Sequence, residues 1–468
     1  IFGRTTTTEQ TVIAQQIFLD LEHHDCFIEH ETKQLYSEMS QIFLADRYIE
    51  GTCPKCSYVN AKGDQCDQCH QLLNPLELID PICCIDGSRP ILKKTKHLYL
   101  NFDKYRSRLE EWLKQSMERG QWSPCATSIT KAWLERGLEP RCITRDLKWG
   151  TPVPLKKYED KVFYVWFDAP IGYISIMAQV CREWRQWWQN PDQVELYQFM
   201  GKDNVAFHSI VFPYTLLATE ANWTMVNHIS ATHYLQYGTQ KFSKSRGIGI
   251  FGSDIASTLI PVDVWRFYLI MMRPENADTS FDWNDFQSKN NTELVNNIGN
   301  YINRVISFVT KQFDGILPEA NLVTETEVIQ SINTVLSTFH DNMNSLKLRD
   351  ALRNCLSISS IGNKYWQLQQ PWKLLKTNME KCQTVILLCA NIIKLLATML
   401  EPFMPKTSDL ILSQLQDQHI LIPEQFNLLL SPGHKIGVAT PLFQKITNEM
   451  IVEYEMKFGV ACNNSQTD

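Results

Sequence analysis

Val162-Phe163-Tyr164-Val165-Trp166-Phe167 is a run of apolar, β-branched and aromatic residues, a composition that predicts a buried strand. Downstream, Glu195-Leu196-Tyr197-Gln198-Phe199-Met200 predicts a second strand, ending in Gly201-Lys202-Asp203 and leading into a helical pattern from Val205 to Thr219. Val226 to Leu235 predicts a third, followed by a loop rich in Lys, Ser and Gly. Strands alternating with helices predict an α/β parallel sheet, in which ligands bind beyond the carboxyl ends of the strands.

Toward the C-terminus the strand signals fade after about Asp282. Leu294, Ile298, Tyr301, Ile302, Val305 and Phe308 fall at helical spacing, and further helical patterns cover Glu327–Leu346, Leu348–Gln367 and Cys382–Leu400, so this part reads as a helical bundle. Toward the N-terminus a helix is expected from Thr8 to about Leu21. Tyr48 to about Leu100 is turn-rich, with short β-like runs such as His97-Leu98-Tyr99-Leu100, and reads as an inserted module. Arg106–Trp112 and Thr130–Arg136 read as helical.

The 468 residues suggest about three domains. With 44% apolar and 21% charged residues, collagen-like and disordered chains are excluded. Forty-five basic against 51 acidic residues give a net charge of −6, which excludes a uniformly basic nucleic-acid coat but not a local RNA-binding surface. The most apolar stretch, Val385 to Met404, is interrupted by Asn391, Lys394 and Glu401 and reads as a buried helix rather than a bilayer span. Ile1-Phe2-Gly3-Arg4 opens the chain without a methionine or an apolar signal core, and reads as the middle of a longer protein. Fourteen cysteines without a secretory signal point to a reducing, cytoplasmic compartment.

Four constellations carry chemistry. Cys53-Pro-Lys-Cys56 and Cys66-Asp-Gln-Cys69 form two CxxC pairs that can place four thiolates around one tetrahedral zinc. A closed Cys₄ shell leaves no position for water, so that metal is structural. Lys241-Phe242-Ser243-Lys244-Ser245-Arg246-Gly247 can fold its cations over a polyphosphate and neutralise charge as pyrophosphate departs; the alternative is a solvated basic turn. Gly201-Lys202-Asp203-Asn204 with His208 suits a ribose or amine at a helix N-terminus, against Asp203 as a plain N-cap and His208 as a packed helix residue. Asn296, Asn300 and Arg304 recur every four residues, and Trp372 follows Pro371; amides, a guanidinium and an exposed ring read unstacked RNA bases, unless they are only a solvated face and a buried tryptophan.

In this order these residues resemble the methionyl-tRNA synthetases, class I aminoacyl-tRNA synthetases, of eukaryotic cytosolic type. The likeness runs from residue 1 to about residue 410. It rests on Ala45-Asp46-Arg47-Tyr48, the zinc knuckle, Ile143-Thr144-Arg145-Asp146, Phe163-Tyr164-Val165-Trp166-Phe167-Asp168-Ala169-Pro170-Ile171-Gly172-Tyr173, Gly201-Lys202-Asp203 and Lys241-Phe242-Ser243-Lys244-Ser245. The last stands where the family has KMSKS, with phenylalanine for methionine.

The resemblance implies a split Rossmann-type parallel sheet whose first half is missing, an inserted zinc module and an all-α anticodon-binding bundle. Residues 1–25 would be a remnant of the first half, 26–160 the inserted module, 161–238 the second half, 239–290 the KFSKS loop and stem-contact region, and 291–468 the anticodon domain. It implies a methionine–tRNA ligase that activates L-methionine with ATP and Mg²⁺ to methionyl-adenylate and transfers it to tRNA(Met).

By the same resemblance Lys244, supported by Lys241, stabilises the leaving pyrophosphate, and Gly201, Asp203, Lys241, Ser243 and Lys244 bind ATP. Trp166, Ala169, Pro170, Tyr173, Asn204 and His208 surround methionine, whose thioether suits an aromatic wall; Arg145 holds its carboxylate. Asn296, Asn300, Arg304 and Trp372 read the anticodon. The partners implied are methionine, ATP and tRNA through both its anticodon and acceptor end, with a multi-synthetase complex left open and no membrane.

Two departures stand out. A second knuckle is replaced by Tyr36-Ser37-Glu38-Met39 and Cys83-Cys84-Ile85-Asp86, which implies a one-zinc form. The family's HIGH motif is absent, since no His-x-Gly-His occurs in the 468 residues. The expectation is therefore an N-terminally truncated synthetase that charges poorly alone, the alternative being a non-catalytic tRNA-binding protein derived from one.

Overall fold

Thr7 caps the first helix, Thr8–His23, by accepting from the Gln10 amide at 3.3 Å. Ala14, Ile17, Phe18 and Leu21 then fall on one buried stripe. The computed structural model describes residues 2–458 apart from 64, 65, 67, 68, 70–72, 239 and 243–247. The chain divides into two units, Ile1–Ala231 and Thr232–Asp468.

In the first unit, Phe27–Ser37 and Ile91–Leu100 form a long antiparallel hairpin, in register from Phe27↔Leu100 to Tyr36↔Ile91. Only its last residues carry a strand signal in the sequence. Lys94 pairs with Glu31 at 2.7 Å and Lys96 with Glu29 at 3.2 Å across the exposed face, and these charges break the apolar pattern by which a strand is read. Between the hairpin strands a small sheet of Ile49–Thr52, Ala61–Lys62 and Ile79–Cys83 has a core of its own, built from Leu35, Leu44, Ile49, Leu78 and cysteine side chains.

The run Val162–Phe167 departs from expectation. Only Val162–Phe163 is strand, paired antiparallel with Thr144–Arg145; Val165–Asp168 is a helical turn, followed by helix Gly172–Val180. The Tyr164 amide takes the Ile143 carbonyl at 2.8 Å, and the amides of Phe167 and Ala169 then bond back along the chain. Phe167 is thereby buried while Trp166 is left partly exposed.

Strand Leu196–Gly201 pairs with Val226–Thr232. Helices Arg106–Gly120 and Pro124–Arg136, and the turn between them, cover the latter: the side chains of Ser116 and Trp122 donate to the Val226 and Asn227 carbonyls at 2.8 Å each. The Ser123 amide takes the Ile229 carbonyl at 3.0 Å.

The second unit begins with Leu235–Tyr237, parallel to Thr279–Phe281, and continues as helices Asn300–Gln312, Thr326–Asn344, Leu348–Gln369, Met379–Leu400 and Pro405–Gln414. The expected bundle is present: Leu348–Gln369 and Met379–Leu400 run two and three residues beyond expectation, while Thr326–Asn344 ends two residues short of the expected Leu346. Met379–Leu400 is long and apolar enough to cross a membrane by length and composition, yet every residue from Thr384 to Leu400 is buried within the unit. Its polar interruptions work as anchors. Asn391 accepts from the Leu429 and Leu430 amides at 2.7 Å, and Lys394 donates to the Asp417 carbonyl at 3.0 Å, so the extended segment after Gln414 is tied to the bundle.

Candidate active site and metal centre

The helical turn after Val162–Phe163 sets out an aromatic surface. Trp166 lies parallel to Phe207, with centroids 6.0 Å apart, and meets the edge of Tyr164 at 5.7 Å. The Arg145 guanidinium sits 3.8 Å from the Tyr164 ring centroid. Arg141, Cys142, Arg145, Tyr164, Trp166 and Phe207 line a cleft of about 290 Å³.

Phe207 and His208 belong to a π-helical turn, Phe207–Val211, that precedes helix Phe212–Ala218. Such a widened turn is common at functional sites because it re-aims side chains. The His208 ring lies 3.0 Å from the Tyr173 hydroxyl through Nε2 and 2.8 Å from the Asn204 carbonyl through Nδ1. A carbonyl only accepts, so Nδ1 carries the proton and the neutral Nε2 receives the tyrosine O–H. Burial lowers the His208 pKa, against the opposing pull of the Asn204 carbonyl.

A lowered histidine pKa means that the unfolded chain binds the proton first as pH falls, so stability is lost below the ordinary histidine range of about 6.5. Tyr173→Phe leaves Nε2 a buried acceptor without its donor. The expected cost is about 1–2 kcal/mol at pH 8, read by urea denaturation. Wild type should lose stability between pH 7 and pH 5.

The other predicted pocket residues are placed less tightly. Asp203 and Asn204 are exposed on the short turn Lys202–Asn204, and a Cβ on Gly201 would meet open space. Ala169 is exposed and Pro170 buried, between the helical turn and helix Gly172–Val180. Lys241 belongs to a two-residue strand opposite Gln236. Ser243 and Lys244, and the side chain of Lys241, lie outside the described residues. The sequence assigns no role to Phe207, Tyr164 or the buried cluster of His97, Asp146 and Lys161 behind Arg145; the available signals are the adjacency of Phe207 to His208 and the place of Tyr164 and Asp146 inside the motifs around Trp166 and Arg145.

Cys53, Cys56, Cys66 and Cys69 bring their sulfurs within 4.8 Å of one another. Cys53–Cys69 are 3.8 Å apart and Cys56–Cys66 3.6 Å, close to the edge of a tetrahedron with metal–sulfur bonds of about 2.3 Å. Against burial, backbone amides of Lys55 and Cys56 and the neighbouring thiols hold Cys53 down at about 7, while hydrogen bonds among the same thiols push Cys56 up to about 12. The residues therefore fit a structural zinc. Between Tyr36–Met39 and Cys83–Asp86, Asp86 accepts from Ser37 at 2.5 Å and from Ser40, and within its own segment from Ser88 at 2.6 Å, so hydrogen bonds tie the two segments together.

In the second unit, Asn296 and Asn300 are exposed, the latter donating to the former at 3.5 Å. Arg304 donates to the Asn300 carbonyl at 3.2 Å and to Asn363. Trp372, the second residue of helix Pro371–Thr377, is 42% exposed, which favours a contact surface over a buried ring.

Residues 1–306 match the family described as tRNA synthetases class I (M). The chain belongs to that family. Residues 317–463 match the anticodon binding domain of methionyl tRNA ligase. Similar proteins of this synthetase family include the cytoplasmic methionine–tRNA ligases of Xenopus laevis, 49% identical over 98% of this chain and 51% of that protein, and of Saccharomyces cerevisiae, 46% identical over 98% and 62%. The chain thus spans about half the length of the curated relatives it matches. Mycobacterium tuberculosis methionyl-tRNA synthetase shares the fold: the apo form superposes with a TM-score of 0.72 at 19% identity, covering 96% of this chain and 83% of that one. Its complex with methionyl-adenylate gives 0.74 at 20% identity, covering 95% and 82%. The class I α/β fold followed by a helical portion is thereby established.

Proposed function

We propose that this chain supplies the methionine pocket, the pyrophosphate loop and the anticodon-reading bundle of a cytoplasmic methionine–tRNA ligase. The observation that carries the reading is the Trp166–Phe207 wall beside Arg145, with the Tyr173–His208 pair on the same unit. Polarisable rings favour a thioether, and a guanidinium offers two parallel donors to a carboxylate.

A methionine carboxylate oxygen attacks the α-phosphorus of ATP, and the bond to the pyrophosphate oxygen breaks. Lys244 and Lys241 neutralise the leaving group, a charge that Mg²⁺ bound with ATP would share, and Gly201, Asp203 and Ser243 seat the nucleotide. A ribose hydroxyl of the terminal tRNA adenosine then takes the acyl carbon and AMP leaves. Asn204, Ala169 and Pro170 complete the pocket. Asn296, Asn300, Arg304 and Trp372 hold the anticodon, and the four cysteines hold one structural zinc.

The sheet supports the view that a HIGH-bearing half lies outside these 468 residues. Strand Leu196–Gly201 leaves Tyr197 41% and Phe199 53% exposed, while both amide atoms of buried Gln198 lack a partner among the described residues. Further chain packed on the face of Tyr197 and Phe199 would cover these rings. The absence of His-x-Gly-His favours a second reading, a tRNA-binding protein without adenylation.

Methionine-dependent ATP–pyrophosphate exchange, with zinc content and CAU-anticodon-dependent tRNA binding measured on the same chain, separates these readings. Anticodon-dependent binding with little exchange is the expected result. Full exchange would show that the visible residues suffice. A folded, zinc-loaded chain indifferent to both methionine and anticodon would sink both readings.

A further inference from the structure

We infer that His97, backed by Asp146 and Lys161, is the positioning residue that fixes Arg145 for a carboxylate ligand. This rests on the reading of the pocket given above. His97 is fully buried in strand Ile91–Leu100, and its ring bridges the residues on either side of Arg145. Nδ1 lies 2.9 Å from Thr144 Oγ1, and Nε2 lies 3.0 Å from Asp146 Oδ2. The Gln34 amide lies 3.1 Å from that same Nε2.

Proton bookkeeping closes for a ring with its proton on Nε2 once the Gln34 amide turns its carbonyl oxygen, not its NH₂, toward that N–H. Asp146 only accepts, so Nε2 donates to it. Nδ1 then accepts the Thr144 O–H, whose oxygen takes the Leu98 amide at 3.2 Å. Behind this, Thr95 donates to Asp146 at 2.9 Å and accepts from Lys161 Nζ at 2.9 Å, while Lys161 also bonds Asp146 directly. The side chains of Lys161 and Asp146 are only 7% and 6% exposed.

Desolvating such a cluster costs about as much as its pairing returns, so stability alone gives no reason to keep it. What it fixes is the backbone of Thr144-Arg145-Asp146, held from both sides by one imidazole. The guanidinium projecting from that backbone rests on Tyr164, sends one Nη1 donor to the Cys142 sulfur at 3.9 Å and has no carboxylate partner among the described residues, so its remaining donors are available to a ligand. Misplacing a binding group by about 1 Å can cost as much as about 100-fold.

The test uses this chain labelled with ¹⁵N-arginine, its Arg145 Nε–Hε signal assigned by its loss in Arg145→Lys. Resting on Tyr164, that signal should be ring-shifted. His97→Ala and Thr144→Val should each abolish the ring shift while circular dichroism stays native, with His97→Gln, whose amide can still reach Asp146, restoring part of it. Affinity for L-methionine, followed by tryptophan fluorescence, should fall about ten-fold or more, but less than about three-fold for methioninol, which lacks the carboxylate. An unchanged Arg145 signal in folded Thr144→Val or His97→Ala overturns the inference. A wild-type chain that binds neither ligand, while its Arg145 signal still responds to both substitutions, upholds the positioning role and overturns the pocket reading instead.

Discussion

Cys53→Ala is expected to release zinc and unfold the small sheet around it, leaving the rest of the first unit folded. The sheet of Ile49–Thr52, Ala61–Lys62 and Ile79–Cys83 has few buried apolar side chains of its own, and four of its packed groups are the proposed ligands. A core of that size does not offset the conformational entropy of ordering its loops. Structural zinc supplies about 10–16 kcal/mol of apparent binding energy in isolated modules, and a shell reduced to three thiolates forfeits much of it. Zinc per chain should fall from about one to near zero. Amide exchange should accelerate by about 100-fold or more at Ile49–Thr52 and Ile79–Cys83, while Val226–Thr232 stays protected. Mass spectrometry of the metal and of deuterium uptake reads both. Native exchange in a metal-free variant would show that the module folds without zinc.

The contrast between this centre and the rest of the site shows what a sequence can disclose. Two CxxC pairs are a local pattern whose chemistry is fixed by spacing, so the cluster is legible in the residues alone. The helices are legible too, because Leu294, Ile298, Ile302 and Val305 carry a period of their own. Val162–Phe167 misleads because a short apolar run has no period that separates strand from turn; Thr151 and Ile143 pair with the chain only as far as Tyr164, after which the Phe167 and Ala169 amides bond back to Tyr164 and Val165. Phe207 could not be paired with Trp166, nor His97 with Asp146, since those contacts cross 41 and 49 residues and leave no trace in local spacing. The charged hairpin is hidden for another reason. Its exposed lysines and glutamates are stabilised across the strands, a pairing that hydrophobic patterning does not register.

Gly120→Ala should be among the most damaging single substitutions in the first unit, although nothing in the sequence marks that glycine. It ends helix Arg106–Gly120, and a Cβ there would lie 1.7 Å from the Asn227 carbonyl oxygen and 2.8 Å from its carbon. Backbone in a paired, buried strand cannot swing aside as a side-chain tip can. The helix must therefore lift, and three buried bonds lie at that joint: Ser116 to the Val226 carbonyl at 2.8 Å, Trp122 to Asn227 at 2.8 Å, and His228 Nδ1 to the Gly120 carbonyl at 2.6 Å. Overpacking costs about 1–3 kcal/mol and each weakened bond about 1 kcal/mol, so about 4–6 kcal/mol is expected. For a unit of this size that lowers the calorimetric midpoint by about 10 °C. Gly252→Ala is the matched control, since a Cβ there meets nothing within 4 Å, and it should stay within about 0.5 kcal/mol of wild type. A Gly120→Ala protein as stable as that control would mean that strand Val226–Thr232 yields to the helix. The joint between helix and strand would then be far softer than its hydrogen bonds imply.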